Sequence, residues 1–530
     1  MSDGRIRRLV ILGGGTAGWM TASYLGKALQ GEVDITLLEA PTIPRIGVGE
    51  ATVPNLHSAF FDFLGIPEHE WMREVNASFK AGIKFVNWRT PGAGAPEPRP
   101  LGAETDYFYH HFAHLQQHDG VPLPQYWYLK QQRGDDPGPF DRACFPETAV
   151  LDAKKGPWKA DGTRAMDYAW HFDAALVADF LRRFATQKQG VRHVQGEMAE
   201  VVQDERGFIT ALRTKDDELL EGDLFVDCSG FRGLLINKAM GEPFVDMGHK
   251  LLNDSAVATA VPHDDAANGV EPFTSSIAMS NGWTWKIPML SRFGTGYVFS
   301  SKFTTREAAT KEFCELWGLD PENTEFNHVS FRVGRNRRAW VRNCVSIGLA
   351  SCFVEPLEST GIYFIYTAVE QLAKHFPDKR FDPRLINRFN REIESMFDFT
   401  IDFIQTHFAF SPRTDTEFWR ANKKLPLGDD LQEKVELYRA GLPVNPYGSG
   451  EQVLHGTSET GNKNFWNNTN YWCMFAGLGH LPEQVLPALR YKPASVESVE
   501  AIFADVPRRA AEQLRELPAT YDILRSLHGK

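Results

Sequence analysis

The 530-residue chain has no apolar run long enough to cross a bilayer. Strand-like sequence begins so near Met1 that no secretory signal is expected ahead of it. Cysteine is scarce. Cys144, Cys228, Cys314, Cys344, Cys352 and Cys473 form no C-x-x-C pair and no zinc spacing. That excludes a disulfide scaffold and reads as reduced thiols in a cytoplasmic protein. Positive charge is not in excess either: a formal net charge of −11 argues against a nucleic-acid partner. One basic cluster, Arg332, Arg335, Arg337 and Arg338, interrupts that balance and reads as a solvated hairpin rather than a phosphate or docking site. There is no internal repeat and no low-complexity segment. What is present is a globular composition, 42% hydrophobic and 24% charged, with length for two lobes or more.

The stretch that organises the chain is Leu9-Val10-Ile11-Leu12-Gly13-Gly14-Gly15-Thr16-Ala17-Gly18-Trp19. A strand-like run enters a glycine turn, and a helical segment, Met20 to Leu29, leaves it. Gly13, Gly15 and Gly18 stand in the G-x-G-x-x-G register. In that register the first glycine permits a tight turn, the second admits a pyrophosphate, and the third lets helix and strand pack closely. The phosphates then meet the free N–H groups of a helix N-terminus. A second strand, Asp34 to Leu38, ends at Glu39, close to the expected distance for an acid on an adenosine ribose. A ligand-free glycine turn is the bland alternative. Strand, helix and acid together favour a dinucleotide with an unphosphorylated ribose, FAD or NAD.

Further on, Pro44 to Pro54 is a glycine-marked loop, followed by a helix bearing Leu56, Phe60, Phe61 and Leu64 and ending at Gly65. A surface loop is expected over Thr90 to Thr105. The aromatic knot Tyr107 to Phe112 follows it. A helical pattern runs from Arg164 to Ala185 through Phe172, Leu176, Phe180 and Leu181, and alternating strands follow from Val194 to Leu224. Asp227-Cys228-Ser229-Gly230 returns the chain to the nucleotide. Gly348 to Pro356 matches the frame G-D-A-A-H-x-x-x-P of flavin hydroxylases at both ends and at Ala350, with Leu349 in place of the acid. A helix is expected over Ile362 to Phe376, and helices dominate from Asp382 onward. The expected architecture is α/β: a Rossmann-like, GR2-type FAD lobe of the flavin hydroxylase kind with a β-rich insertion over 1–380, and a mostly helical lobe over 381–530. No second G-x-G-x-x-G is present for NAD(P)H, so the flavin must be reduced elsewhere.

With Gly47-Val48-Gly49-Glu50-Ala51-Thr52, Gly282-Trp283-Thr284-Trp285-Lys286-Ile287-Pro288 and Glu355-Pro356-Leu357-Glu358-Ser359-Thr360-Gly361 added to the first glycine turn, the sequence resembles the flavin-dependent tryptophan halogenases over essentially its full length. The G-W-x-W-x-I-P string separates it from hydroxylases of the same fold. The resemblance implies a flavin box fused to a helical pyramid, often as a homodimer. FADH₂ comes from a separate NAD(P)H-dependent reductase. With O₂, it oxidises chloride or bromide to hypohalous acid, which then halogenates an indole.

The same resemblance assigns residues. Gly13, Gly15, Thr16, Ala17, Gly18, Glu39, Gly49, Ala51, Gly348 and Leu349 match the FAD contacts, and Thr360 and Gly361 the halide amides. Ser359 and Thr360 also read as simple helix caps. Lys80 matches the active-site lysine, which hydrogen-bonds hypohalous acid or becomes a haloamine. From the residues alone, Lys84 is an equal candidate. Glu358 matches the essential glutamate, a polariser of the oxidant or acceptor of the ring proton. Its alternative is a helix-capping acid. Trp283 and Trp285 are expected as the wall between flavin and substrate, or as two core aromatics on one strand face. His110, Phe112, His407, Phe465 and Trp466 match the residues that hold the indole by stacking. A flavin-dependent aromatic monooxygenase is the competing function, because it shares the nucleotide lobe.

One departure stands out. Relatives that take free tryptophan anchor its amino-acid end with a Tyr-Tyr pair shortly before the Phe-Trp pair. Counted back without gaps from Phe465-Trp466, those places hold Leu454 and His455. The ring site is retained while the clamp is not, which argues against free tryptophan and leaves indole, a substituted indole or a tryptophan-containing peptide open.

Overall fold

The computed structural model describes residues 4–42, 49–90, 106–444 and 465–529. By compactness the chain divides into two units. The first comprises Met1–Asn76, Phe172–Gly248 and Phe331–Asp398, and the second Ala77–His171, His249–Ser330 and Phe399–Lys530. This is an interleaved division, not the linear 1–380 and 381–530 expected from the sequence. The cause is topological: parallel strands need long crossover connections, so the chain leaves the first sheet and returns to it.

The first unit is built on a six-stranded sheet in the order Arg192–Gln195, Asp34–Glu39, Arg8–Leu12, Leu224–Asp227, Cys344–Ser346, Trp340–Val341. All pairs are parallel except the last. Helices Thr16–Ala28 and Thr360–Lys374 pack on one another in this unit, and so do Thr16–Ala28 and Ala174–Lys188. The central strands Arg8–Leu12, Leu224–Asp227 and Cys344–Ser346 are buried on both faces, as apolar runs such as Leu9 to Leu12 require, while the edge strand Arg192–Gln195 is largely not. The turn after Arg8–Leu12 and the segment after Leu224–Asp227 therefore open at the carboxyl ends of adjacent parallel strands, where α/β sheets bind ligands.

The second unit holds a seven-stranded sheet: Asn327–Ser330, Ser255–Pro262, Arg292–Phe299, Gly282–Met289, Thr274–Met279, Gly82–Val86, Tyr107–His111. It is antiparallel except where Thr274–Met279 meets Gly82–Val86. Its helices include Asn468–Gly477 and Glu500–Glu516. Among the described residues no helix is long and apolar enough to cross a membrane.

Three local expectations need correction. Phe172 lies on a strand, Ala169–Phe172, rather than within a helix from Arg164. Tyr168 to Phe172 is buried throughout, and only Asp173, whose carboxylate accepts from the N–H groups of Ala175 and Leu176, starts the helix Ala174–Lys188. Leu176, placed on the buried stripe by its spacing, is exposed. The basic cluster is a solvated hairpin only in part: Arg332, Arg337 and Arg338 are exposed and Arg335 is not. Arg335 is buried and paired with Glu394 and Asp398, while Arg337 and Arg338 both pair with the buried Glu242. Three of the four arginines are thus paired with carboxylates of the chain, of which Glu242 is buried.

Candidate active site

In the first unit the glycines do three different jobs. A Cβ on Gly13 (φ +120°) would lie 2.3 Å from the Cys228 carbonyl oxygen, and one on Gly18 would lie 1.9 Å from the Gly13 oxygen. Both are close-packing positions. A Cβ on Gly15 would meet nothing within 4 Å. Gly15 is also the N-cap of helix Thr16–Ala28, with no side chain capping it. Open space therefore lies beside free helix N–H groups, the setting a pyrophosphate needs. Gly14 is bare for a further reason: its Cβ would lie 2.1 Å from the Glu39 carboxylate carbon. Glu39 is held by His193, whose Nε2 is 2.9 Å from Oε2. Thr16 donates its hydroxyl to the Ala174 carbonyl, 3.3 Å away.

The third segment closes on the same helix. Gly348 (φ +70°) brings its backbone so close to Ala17 that an added Cβ would lie 2.8 Å from the Ala17 methyl. Leu349, which replaces the acid of the hydroxylase frame, is exposed. Asn336 fixes this turn, donating from Nδ2 to the Ala350 carbonyl at 2.8 Å. Gly49 has φ +87° and Ala51 is buried. Between them, burial pushes the Glu50 carboxyl up to about 7. Gly47, Val48 and the rest of that loop back to Pro44 lie outside the described residues. Asp227 is a structural acid: burial raises its pKa, and it accepts from the N–H groups of Ser229, Leu235 and Ile236.

The halide candidate departs from a plain helix start. Glu358 (φ 65°, ψ 8°) and Ser359 (φ 62°, ψ 39°) are consecutive left-handed residues, both buried, immediately before helix Thr360–Lys374. Each such residue costs about 1–3 kcal/mol, and strain of this kind concentrates at ligand sites. The Ser359 side chain does not cap the helix, contrary to the simpler expectation. The buried Thr360 hydroxyl has no hydrogen-bond partner. A Cβ on Gly361 would meet nothing within 4 Å. An orphaned donor, open space and successive backbone N–H groups at a helix start together suit a small anion.

In the second unit Lys80 ends the short strand Ser78–Lys80 and is wholly buried, with Nζ 5.0 Å from the Phe112 ring centroid. His171 lies on the paired strand. Burial first, then the nearby Lys80 charge, holds its pKa well below the usual histidine value. The neutral ring is bound at both nitrogens, by Ser78 Oγ at 3.2 Å and Thr274 Oγ1 at 2.9 Å. Lys84 is buried too, but elsewhere: its Nζ is 3.6 Å from Asp152 and 3.7 Å from the Tyr107 ring centroid. The two lysines are thus separated by their surroundings, an aromatic ring and a neutral histidine against a carboxylate and tyrosines.

Trp283 and Trp285 share one buried face of strand Gly282–Met289, with ring centroids 6.2 Å apart. Gly296 makes room for Trp285: a Cβ there would lie 2.3 Å from its ring. Trp466 stacks on Phe403 at 4.2 Å and donates Nε1–H to Thr400 Oγ1 at 3.1 Å. Phe465 meets Trp466 edge-on at 4.8 Å. His110 lies 5.9 Å from Phe403 and is bonded by Asn470. His407 has a different setting. It is fully buried against Phe85, Trp88 and Phe403, and its Nδ1–H donates to the Phe403 carbonyl at 3.0 Å. That is the packing of a core histidine. His171, Gly296, Thr400 and Asn470 escaped the sequence reading. Only Asn470 carries a signal, the N-x-x-N spacing of a capping box with Asn467.

Among the described residues no group of three or more His, Cys, Asp or Glu side chains is arranged to hold a metal ion. None of the six cysteines is in a disulfide.

The family model for tryptophan halogenase matches residues 8–494 of this sequence. The chain belongs to the tryptophan halogenase family. It is 65% identical over 528 residues to tryptophan 6-halogenase ThaL of Streptomyces albogriseolus, covering 99% of each chain. It is 61% identical over 529 residues to tryptophan 7-halogenase RebH of Lentzea aerocolonigenes, covering all of both. A solved structure of the tryptophan C-6 flavin-dependent halogenase (chlorinase) from taromycin biosynthesis superposes with a TM-score of 0.87 at 38% identity, over 99% of this chain and all of that one. The protein is therefore a flavin-dependent halogenase, and the family likeness does not favour the monooxygenase alternative.

Proposed function

We propose that this halogenase acts on the indole ring of free tryptophan, using FAD in the reduced state with O₂ and chloride or bromide. Full-length relatives at 65% and 61% identity named as tryptophan halogenases support that substrate. The Leu454 and His455 positions that raised the question lie outside the described residues. Reduced FAD, when bound, supplies with O₂ the two-electron oxidation that turns halide into hypohalous acid.

The chain's own part divides into steps. Gly13, Gly15, Thr16, Ala17 and Gly18 hold the pyrophosphate side of the cofactor, Glu39 its ribose, and Gly49, Ala51, Gly348 and Leu349 the remainder. The amides of Thr360 and Gly361, with the orphaned Thr360 hydroxyl, hold the halide. Trp283 and Trp285 bar direct oxygen transfer to substrate. His110, Phe112, Phe465 and Trp466 hold the arene by ring contacts; His407 supports them from the core side. Lys80 donates a hydrogen bond to hypohalous acid or carries its halogen as a haloamine, in a setting with little water. Glu358 accepts the ring proton once the carbon–halogen bond has formed. The observation that carries this reading is the buried Lys80 beside Phe112 and a neutral His171. A separate NAD(P)H flavin reductase, a homodimer and a cytoplasmic location complete the proposal.

The test supplies purified protein with FAD, a flavin reductase, NADH, O₂, tryptophan and either chloride or bromide, and identifies products by mass. Halogenated tryptophan is expected, and none without the reductase. Hydroxylated tryptophan, or no turnover of tryptophan alongside halogenation of indole, contradicts it.

A further inference from the structure

The N-terminus of helix Asn468–Gly477 is closed by a reciprocal capping box. Asn467 Oδ1 accepts from the N–H groups of Thr469 (2.9 Å) and Asn470 (3.3 Å). In return the Asn467 N–H donates to Asn470 Oδ1 at 2.7 Å. A backbone N–H only donates, so the Asn470 atom facing it must be the amide oxygen. That settles the orientation of the Asn470 amide, and its NH₂ is the end that lies 2.9 Å from His110 Nε2. An amide NH₂ has no lone pair to offer, so His110 Nε2 must be the acceptor. The ring proton of His110 is consequently on Nδ1.

The same box reaches the aromatic wall along the chain. Asn467 directly follows Trp466, which stacks on Phe403, and His110 faces that same Phe403. His110 and Asn470 are 360 residues apart in sequence and share no motif.

We propose that Asn470 is a positioning residue. It holds His110 as the Nδ1-protonated tautomer in one ring orientation, and so fixes how an indole lies against the His110–Phe403–Trp466 wall. This rests on the reading above that His110 contacts the arene. The hydrogen bond also makes one half of the proposal independent of that reading, because the tautomer exists whether or not substrate binds.

Asn470→Asp separates the two halves. Its carboxylate still accepts from Asn467 N–H, so the cap and the fold are retained, but it can only accept from His110 as well. Nε2 must then carry a proton, either by a move from Nδ1 or by uptake of a second one. The measurement is nitrogen NMR of histidine-labelled full-length protein, with the His110 signals identified by their loss in His110→Ala. Wild type is expected to show Nδ1–H and Asn470→Asp to show Nε2–H. Alongside it, KM for tryptophan is expected to rise about tenfold, the worth of one buried hydrogen bond, or the halogen to shift to another ring position. Flavin reoxidation by O₂ stays at the wild-type rate, and the thermal midpoint is held. Nε2–H in wild type overturns the proposal outright, whatever the variant does. A tautomer that flips with KM and product position unchanged overturns the positioning role. His110→Ala then tells which premise failed: if it too changes neither quantity, His110 is not an arene contact, and if it changes them, only the role of Asn470 falls.

Discussion

In the proposed function the two units carry their chemistry in different parts of the residue. In the first, the glycine turn and the left-handed Glu358–Ser359 turn offer backbone N–H groups beside open space. In the second, Lys80, His110, Trp285 and Trp466 offer side chains packed by neighbours far away in sequence. A backbone site needs residues that stay out of the way. A side-chain site needs residues that hold one another in place. The same substitution therefore has opposite meanings in the two units.

The largest effects fall on the two side chains proposed to act directly, Lys80 in the second unit and Glu358, which lies in the first unit's left-handed turn but acts through its carboxylate. Lys80→Met is expected to lower tryptophan halogenation by about 10³-fold or more, and Glu358→Gln by about 10²-fold or more, as for loss of a positioned acid–base group. Flavin reoxidation continues in Lys80→Met. Lys84→Met leaves halogenation per folded molecule unchanged and instead costs stability, about 3 kcal/mol, by leaving the Asp152 cluster short of a cation. Product assays and thermal melts on the same preparations check this, and equal loss of product in both lysine variants would break the distinction.

Next come the glycines. Gly18→Ala should cost about 3 kcal/mol or more of stability, because its Cβ has no room against the Gly13 carbonyl. Gly15→Ala should leave the melting temperature of the FAD-free protein unaltered and weaken FAD binding by about tenfold or more, measured by fluorescence titration. A Gly15→Ala protein that melts early with full FAD affinity would show that the space beside Gly15 is not the pyrophosphate site.

A smaller effect tests charge. Burial, then the neighbouring His110, lowers the His111 pKa to about 3, and His171 is depressed as well. Both are neutral when folded and protonate when unfolded below about pH 6.5. A depressed histidine therefore contributes stability that is present above pH 6.5 and lost as pH falls toward the folded pKa. His111 alone accounts for about 2 kcal/mol between pH 6.5 and 5. Urea melts should show a weaker loss over that interval in His111→Gln than in wild type. An identical pH slope in the two proteins would contradict the assignment.

The contrast also explains what was legible in sequence. Backbone sites need glycine at fixed spacing, so Gly13, Gly15, Gly18 and Gly348 announced themselves, and the parallel sheet followed from the apolar runs between them. Side-chain sites are assembled from remote segments. Lys80 was picked out by family resemblance alone, and nothing in the sequence placed His171 beside it or Asn470 beside His110. Phe172 was misplaced on a helix because an all-buried aromatic strand has no polar alternation to reveal its period. The pairing of the arginine cluster was not legible because its partners, Glu242, Glu394 and Asp398, lie 59–96 residues away along the chain.

The central claim is that halide is held by backbone and used by a side chain. Its most direct test is anomalous scattering from bromide-soaked crystals of the wild-type protein and of Gly361→Ala, whose added methyl meets no protein atom and so occupies the open space itself. The account predicts a bromide peak within hydrogen-bonding reach of the Thr360 and Gly361 N–H groups in wild type, absent or displaced in Gly361→Ala. Bromide found at the Lys80 ammonium with none at that turn would contradict it.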